Sequence, residues 1–281
     1  MNHAPTTTEP RGQARLPGLA GQIATALRGS LTVTDLYGDL GGPIYHQLCR
    51  DDDHEIREVK AALRGVSGPV LELACGSGRL TVPLLAGGYQ VTGVDNSPSL
   101  LALLAERLNE PRAAALARRL TTIEADIRDL ALDGRFGAAL LGTTTVGLLP
   151  PKTRPVAFAS VRQHLDAGAP FVLTVFDPAH SPDPGAGLAA PVETATTMVV
   201  DDTVCTLIDH VTADRSRRHV ALLQVRSGHE PLLLTSEVHL VTVAEVTAEL
   251  TAAGFDVEAP RPLRSAAPGA VSVLITARKT A

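Results

Sequence analysis

Tryptophan is absent, and tyrosine and phenylalanine together number only eight among 281 residues, so any aromatic near a functional motif stands out. Cysteines number three. Cys49, Cys75 and Cys205 are scattered and odd in count, which gives neither a disulfide framework nor zinc-ligand spacing. No metal site is expected. There is no basic block: 25 lysines and arginines face 30 acids, for a net charge of −5. Tight electrostatic binding to nucleic acid or to an anionic membrane is not expected from such a chain. No apolar run is long enough to span a bilayer. The first dozen residues are polar and lack the apolar stretch of a signal peptide, so a cytoplasmic location is expected. What remains is a chain with 44% hydrophobic residues, enough for one large domain or one domain with a substantial insertion.

The informative stretch runs from Pro69 to Pro98. Val70-Leu71-Glu72-Leu73 reads as a buried strand that stops at Ala74-Cys75-Gly76-Ser77-Gly78. A helical pattern follows, then a second strand from Gln90 to Val94 that ends in Asp95. Strand, glycine turn, helix, strand and acid make the first half of a doubly wound nucleotide-binding sheet. The glycines permit a sharp turn and close approach of a ligand. Asp95 stands where a carboxylate accepts the hydroxyls of a ribose. A dinucleotide fingerprint needs a third glycine or alanine at position 81, where the residue is Thr81, and Arg79 is the sole cation near the turn. A ligand with a ribose and no phosphate fits better. Cys75 lies within the turn without a histidine beside it in sequence, so it reads as a small packing residue and not as a nucleophile.

Glu72-Leu73-Ala74-Cys75-Gly76-Ser77-Gly78 resembles motif I of the class I S-adenosylmethionine-dependent methyltransferases. Asp95 matches their ribose-binding acid, and Asp126-Ile127, after a third strand, matches the pair that flanks the adenine. The departure is Ala74, where the family often has glycine. The resemblance is good over about 66–177 and looser elsewhere. It implies an α/β fold: a Rossmann-like seven-stranded sheet with helices on both faces. It also implies S-adenosylmethionine as cofactor and S-adenosylhomocysteine as product. The cofactor contacts it implies are Tyr37, Glu72, Ala74, Gly76, Gly78, Arg79, Asp95, Asn96, Asp126, Ile127, Gly142 and Thr143. An NAD-dependent oxidoreductase and a non-catalytic binding module are the alternatives. The first lacks its third glycine, and the second should have lost the glycines or the ribose acid.

Along the chain, 1–14 reads as a tail and 15–65 as an N-terminal helical lid. The methyltransferase core is expected over 66–180 and 242–281. In the lid, Asp35-Leu36-Tyr37 is followed by Tyr45-His46, and this spacing resembles actinobacterial natural-product N-methyltransferases that act on glycopeptides and on ribosomal peptides of the daptide class. Tyr37, Tyr45 and His46 either touch cofactor and substrate or pack the lid on the core. Asp51 to Glu55 reads as the N-cap and acidic first turn of a helix from His54 to Arg64. Asn96-Ser97-Pro98 is a capping signature for the next helix, up to Leu108. Thr143-Thr144-Thr145 closes the fourth strand, Phe136 to Leu141, and either lines the transfer site or caps the turn. Between 181 and 241, period-two runs bounded by turn residues read as an antiparallel β insertion that extends the sheet or caps the substrate pocket.

Methyl transfer needs a nucleophile held in line with the methyl carbon. An amine must also arrive unprotonated, by way of an apolar pocket or a proton acceptor. His46, Tyr45, Asp177 and His180 are the candidates for base or orienter. The expected activity is N-methylation, once or twice, of a small-molecule or peptide amine, most naturally the terminus of a peptide natural product. O-methylation of a small metabolite is the same-class alternative. Oligomeric state is not legible.

Overall fold

The computed structural model describes residues 16–111, 113–177, 193–200, 202–263 and 272–280. The N-terminal part supplies helix α1 (Gly18–Ala26), strand β1 (Thr32–Asp35) and helices α2 (Gly41–Cys49) and α3 (Ile56–Ala62). Strand and helix then alternate through β2 (Val70–Leu73), α4 (Thr81–Ala86), β3 (Val91–Asp95) and α5 (Pro98–Asn109). A short α6 (Ala114–Ala117) precedes β4 (Leu120–Glu124) and β5 (Ala138–Leu141). A 3-10 turn (Thr145–Leu148) leads to α7 (Arg154–His164) and β6 (Pro170–Phe176). Four longer strands follow: β7 (Glu193–Val200), β8 (Thr203–Val211), β9 (Arg217–Arg226) and β10 (Leu232–His239). The chain closes with α8 (Val243–Ala252), β11 (Phe255–Val257), β12 (Arg261–Pro262) and β13 (Ser272–Lys279).

The main sheet has the order β4-β3-β2-β5-β6-β13-β11, with β12 paired to β13. The first five strands are parallel, and β13 runs antiparallel to both β6 and β11. Period two explains why it is buried on both sides. Leu71, Val94, Ala139, Leu173 and Ile275 join one core cluster; Val70, Val91, Ala138, Val172 and Leu274 join the other. Because β2 lies between β3 and β5, strand order reverses between β2 and β5. The crevice at that reversal is where open α/β sheets take their ligands. Here it is flanked by the glycine turn after β2 and by Gly142 after β5. Helix α5 begins as its sequence requires, with Pro98 in its first turn and the Ser97 side chain accepting from Leu100 N.

A second sheet has the order β1-β10-β9-β8-β7. Its hairpins are the expected antiparallel insertion, but β1 comes from the N-terminal stretch, which is not helical throughout. Thr32-Val33-Thr34 is a short β-branched run that pairs in parallel with β10. One face of this sheet packs on α1 through Ala20, Ile208, Ala221 and Leu233. The other packs on the α2 side through Leu36, Tyr37, Ile44, Tyr45, Leu222 and Leu234. The helix expected from His54 starts two residues later. Glu55 has φ 63°, outside the helical region, and is 3% exposed. The acidic run is thus a turn ahead of the helix, in which Asp52 Oδ1 accepts from His54 N, and not the helix's first turn. The fourth strand is shorter than its apolar run, with Phe136 forming only a bridge to Leu165.

Gly76 and Gly78 both have positive φ, but a Cβ meets different neighbours at each. At Gly76 the nearest is Leu100 Cδ1, 3.9 Å away; at Gly78 it is Leu104 Cδ1, 2.4 Å away, on a side chain with no exposure. Gly76→Ala is therefore expected to cost ~1 kcal/mol of backbone strain, and Gly78→Ala about 3 kcal/mol because overpacking is added. Urea denaturation measures both, and equal losses would contradict the packing account.

Candidate functional site

Asp95 organises the crevice. It ends β3, is 6% exposed, and its Oδ2 accepts from Gly76 N at 2.7 Å while Oδ1 accepts from Ser97 N at 2.9 Å. Burial pushes its carboxyl above the usual range, and the backbone donors pull it back. The carboxylate therefore joins the glycine turn to the start of α5. Asn96 beside it is exposed. Ala74 has φ 51°, a left-handed backbone that explains why glycine suits this position.

Glu72 lies beneath the turn, fully buried, and burial pushes its carboxyl up to about 8, with Thr81 and Arg79 opposing the shift. Its Oε2 has no hydrogen-bond partner among the described residues. An orphaned acidic oxygen at a ligand crevice suits a cationic ligand.

A second acid enters from outside the motif. Glu55 Oε1 accepts from Thr143 N at 2.7 Å and from Arg79 Nη2. Arg79 also donates to His54 O and to Thr143 Oγ1, each at 2.8 Å. Thr143 and Thr144 both have positive φ, and Thr144 N donates to Thr174 Oγ1 at 2.9 Å. Two consecutive strained threonines persist because their surroundings fix them. A Cβ at Gly142 would meet Leu80 Cδ1 at 2.3 Å, so the exit of β5 is packed to the limit.

The stretch from Asp35 to Cys49 lies against this crevice. Tyr37 O accepts from Ser97 Oγ at 2.8 Å, and His46 Nδ1 is 2.8 Å from Ser77 Oγ in the glycine turn. Burial holds the imidazole below its ordinary range, with Arg107 and Arg50 adding to the effect. Tyr37 and Tyr45 meet edge to face, ring centroids 5.0 Å apart. Burial pushes both phenols up, so each stays protonated.

The expected site residues do not all gather. Glu72, Ala74, Gly76, Gly78, Asp95, Gly142 and Thr143 surround the crevice. Asp126 and Ile127 follow β4, beside Asp95 in the sheet, where Arg128 Nε donates to both Asp126 oxygens at 2.8 and 2.9 Å and holds that carboxyl below its usual range. Arg79 Nη1 and Nη2 are engaged by protein groups, so Arg79, expected among the cofactor contacts, braces the turn, while its Nε has no partner among the described residues. Among the base candidates, Tyr45 and His46 share α2 but contact different partners. Asp177 is 1% exposed and its Oδ2 accepts from Val243 N at the start of α8, which gives it a structural task. His180 lies outside the described residues. Cys75 is buried, and burial raises its thiol, so it is inert. Glu55 and Ser77 were missed. Ser77 lies inside the motif itself, whereas Glu55 was masked by the acidic run around it.

Gly76 open to approach, the Asp95 carboxylate at the end of β3 and the orphaned Glu72 oxygen together fit S-adenosylmethionine, a nucleoside that carries a cationic tail and no phosphate. Comparison with known proteins agrees. Residues 70–168 match the methyltransferase domain family. The cypemycin N-terminal methyltransferase of a Streptomyces species is 28% identical over 191 residues, covering 67% of this chain and 72% of that protein. The glycopeptide N-methyltransferase MtfA is 28% identical with a TM-score of 0.63, covering 94% of this chain and 99% of that one. Its solved complexes include S-adenosylmethionine and S-adenosylhomocysteine. The CcbJ methyltransferase of Streptomyces caelestis shares the fold at a TM-score of 0.72 and 20% identity, over 88% of this chain and 99% of that one. No helix among the described residues is long and apolar enough to cross a membrane. The chain is a class I S-adenosylmethionine-dependent methyltransferase, related to the cypemycin and glycopeptide N-methyltransferases.

Proposed function

We propose that the acceptor is an amine, the N terminus of a peptide natural product, which receives one or two methyl groups. Two similar proteins whose names specify N-methylation of peptides support this reading. The observation that carries it is the wall above the crevice. Tyr37, Tyr45 and Phe176 bring rings to the carboxyl ends of the strands in a chain with few aromatics. An apolar wall disfavours the ammonium form and releases the nitrogen lone pair.

In this reading Asp95 holds the ribose, Asp126 and Ile127 flank the adenine, and Gly76 admits the cofactor to the turn. Glu72, Gly142 and Thr143 surround its amino-acid end, with Ala74 and Gly78 shaping the turn and Asn96 at its rim. S-adenosylmethionine supplies an electrophilic methyl group. The neutral amine nitrogen forms the new N–C bond as the S–C bond breaks, and the alkylated nitrogen then gives its proton to solvent. His46 holds the lid on Ser77, and Tyr37 and Tyr45 exclude water. Asp177 anchors α8.

The test is mass analysis of tripeptide amides with free or acetylated N termini after incubation with S-adenosylmethionine. Gains of one or two methyl groups on the free forms alone are expected, and methylation that survives acetylation would point to a hydroxyl acceptor. By calorimetric titration, His46→Ala should weaken S-adenosylhomocysteine binding about three- to tenfold, the effect of one lost hydrogen bond. Lost turnover with intact affinity would instead make His46 the proton acceptor.

Glu72 predicts a pH dependence. Its carboxyl, raised to about 8, holds its proton near neutral pH in the free protein. A cationic ligand favours the ionised form, so binding expels that proton. S-adenosylmethionine affinity should therefore rise as pH rises toward about 8 and level off above it. Calorimetry in buffers of different ionisation enthalpy reads the proton release directly. An affinity unchanged between neutral pH and the plateau, or the same slope in Glu72→Gln, would refute this role.

A further inference from the structure

The inserted sheet carries two charges on its inner wall that the motifs do not account for. Asp209 pairs with Val220 and Arg218 with Val211 across β8 and β9, in the same parity as Leu207 and Leu222. Those leucines belong to the cluster that contains Tyr37, Ile44 and Tyr45. Asp209 and Arg218 therefore share the face turned toward α2 and the strand ends. His210 and His219, with the parity of Ile208 and Ala221, share the α1 face.

Arg218 Nε donates to Asp209 Oδ1 at 2.8 Å and to Oδ2 at 2.9 Å, and its Nη2 also reaches Oδ2. Its guanidinium carbon lies 5.8 Å from the ring centre of Phe176, the last residue of β6. Tyr37 feels the Arg218 charge as well. One arginine is thus tied to the inserted sheet, to the carboxyl end of the main sheet and to the N-terminal stretch. The side chains of Arg218 and Asp209 remain 32% and 23% exposed. A half-buried ion pair on an otherwise apolar wall contributes little to stability, since apolar replacements serve as well or better. Its value lies in what it can recognise: a carboxylate and a guanidinium side by side match a donor and an acceptor set side by side on a ligand.

We propose that Asp209 and Arg218 read the first residue of the acceptor peptide. Asp209 accepts an N–H of the terminal amine, and Arg218 donates to the first carbonyl oxygen. The site then selects α-amines that carry a neighbouring carbonyl over isolated amines. The proposal rests on the N-methyltransferase reading above and names what that site recognises.

The test compares trialanine amide with its analogue in which the first carbonyl is reduced to methylene. In the unaltered protein the reduced analogue should show a KM, or inhibition constant if it is not turned over, about tenfold higher. In Arg218→Met the constant for trialanine amide should rise to that level while the reduced analogue is unaffected, so the two probes become equal. Arg218→Lys should restore part of the difference, and Asp209→Asn should raise both constants. S-adenosylhomocysteine affinity should not change in any variant, although the thermal midpoint of Arg218→Met should fall because Asp209 loses its partner. Equal effects of Arg218→Met on both probes, or a parallel loss of cofactor affinity, would overturn the proposal and leave the pair structural. If the unaltered protein binds S-adenosylhomocysteine but methylates neither trialanine amide nor other free-amine peptides, the N-methyltransferase reading fails, and this inference falls with it.

Discussion

The structure depends on one buried carboxylate. Asp95 accepts two backbone N–H groups, one from the glycine turn and one from the start of α5, and so fixes the relation between two loops at the mouth of the sheet. A carboxylate at 6% exposure is costly alone, and charge-assisted hydrogen bonds to backbone N–H groups offset that cost. In the proposed reading the same carboxylate that holds the turn takes the ribose.

Around that point the fold recruits residues from distant parts of the chain. Glu55, from the N-terminal stretch, holds the strained exit of β5 through Thr143 and Arg79, so the two sides of the crevice are braced by a residue outside the methyltransferase core. The stretch from Asp35 to Cys49 reaches the opposite side through Tyr37 and His46. Strand β1, immediately before it, is stitched to the inserted sheet. The N-terminal stretch and the insertion therefore act as one unit over the crevice, and a shift of β10 would be transmitted to Tyr37.

The main sheet was legible because its physics is local. A four-residue apolar run, two turn glycines and an acid one strand later have few other uses, and period two assigned the inserted hairpins. Three features were not legible. Strand β1 is four residues long and finds its partner about two hundred positions later, which no local pattern encodes. Glu55 belongs to a run of acids that reads as a solvated helix start, yet its left-handed backbone turns it inward against Arg79. Asp209 and Arg218 alternate correctly along their strands, but alternation does not say which face looks toward the strand ends. Asp177 also differs from its sequence reading: its position at the end of β6 suggested chemistry, and the structure buries it against the first N–H of α8.

The central claim is that the crevice between β2 and β5 is a nucleoside site without a phosphate subsite. Calorimetric titration of the purified protein with S-adenosylhomocysteine and, separately, with NADH tests it most directly, with Asp95→Ala as the second arm. The account predicts binding of the thioether alone, weakened tenfold or more in Asp95→Ala, about what loss of hydrogen bonds to a charged group costs. Binding of NADH without S-adenosylhomocysteine, or thioether affinity indifferent to Asp95, would contradict it.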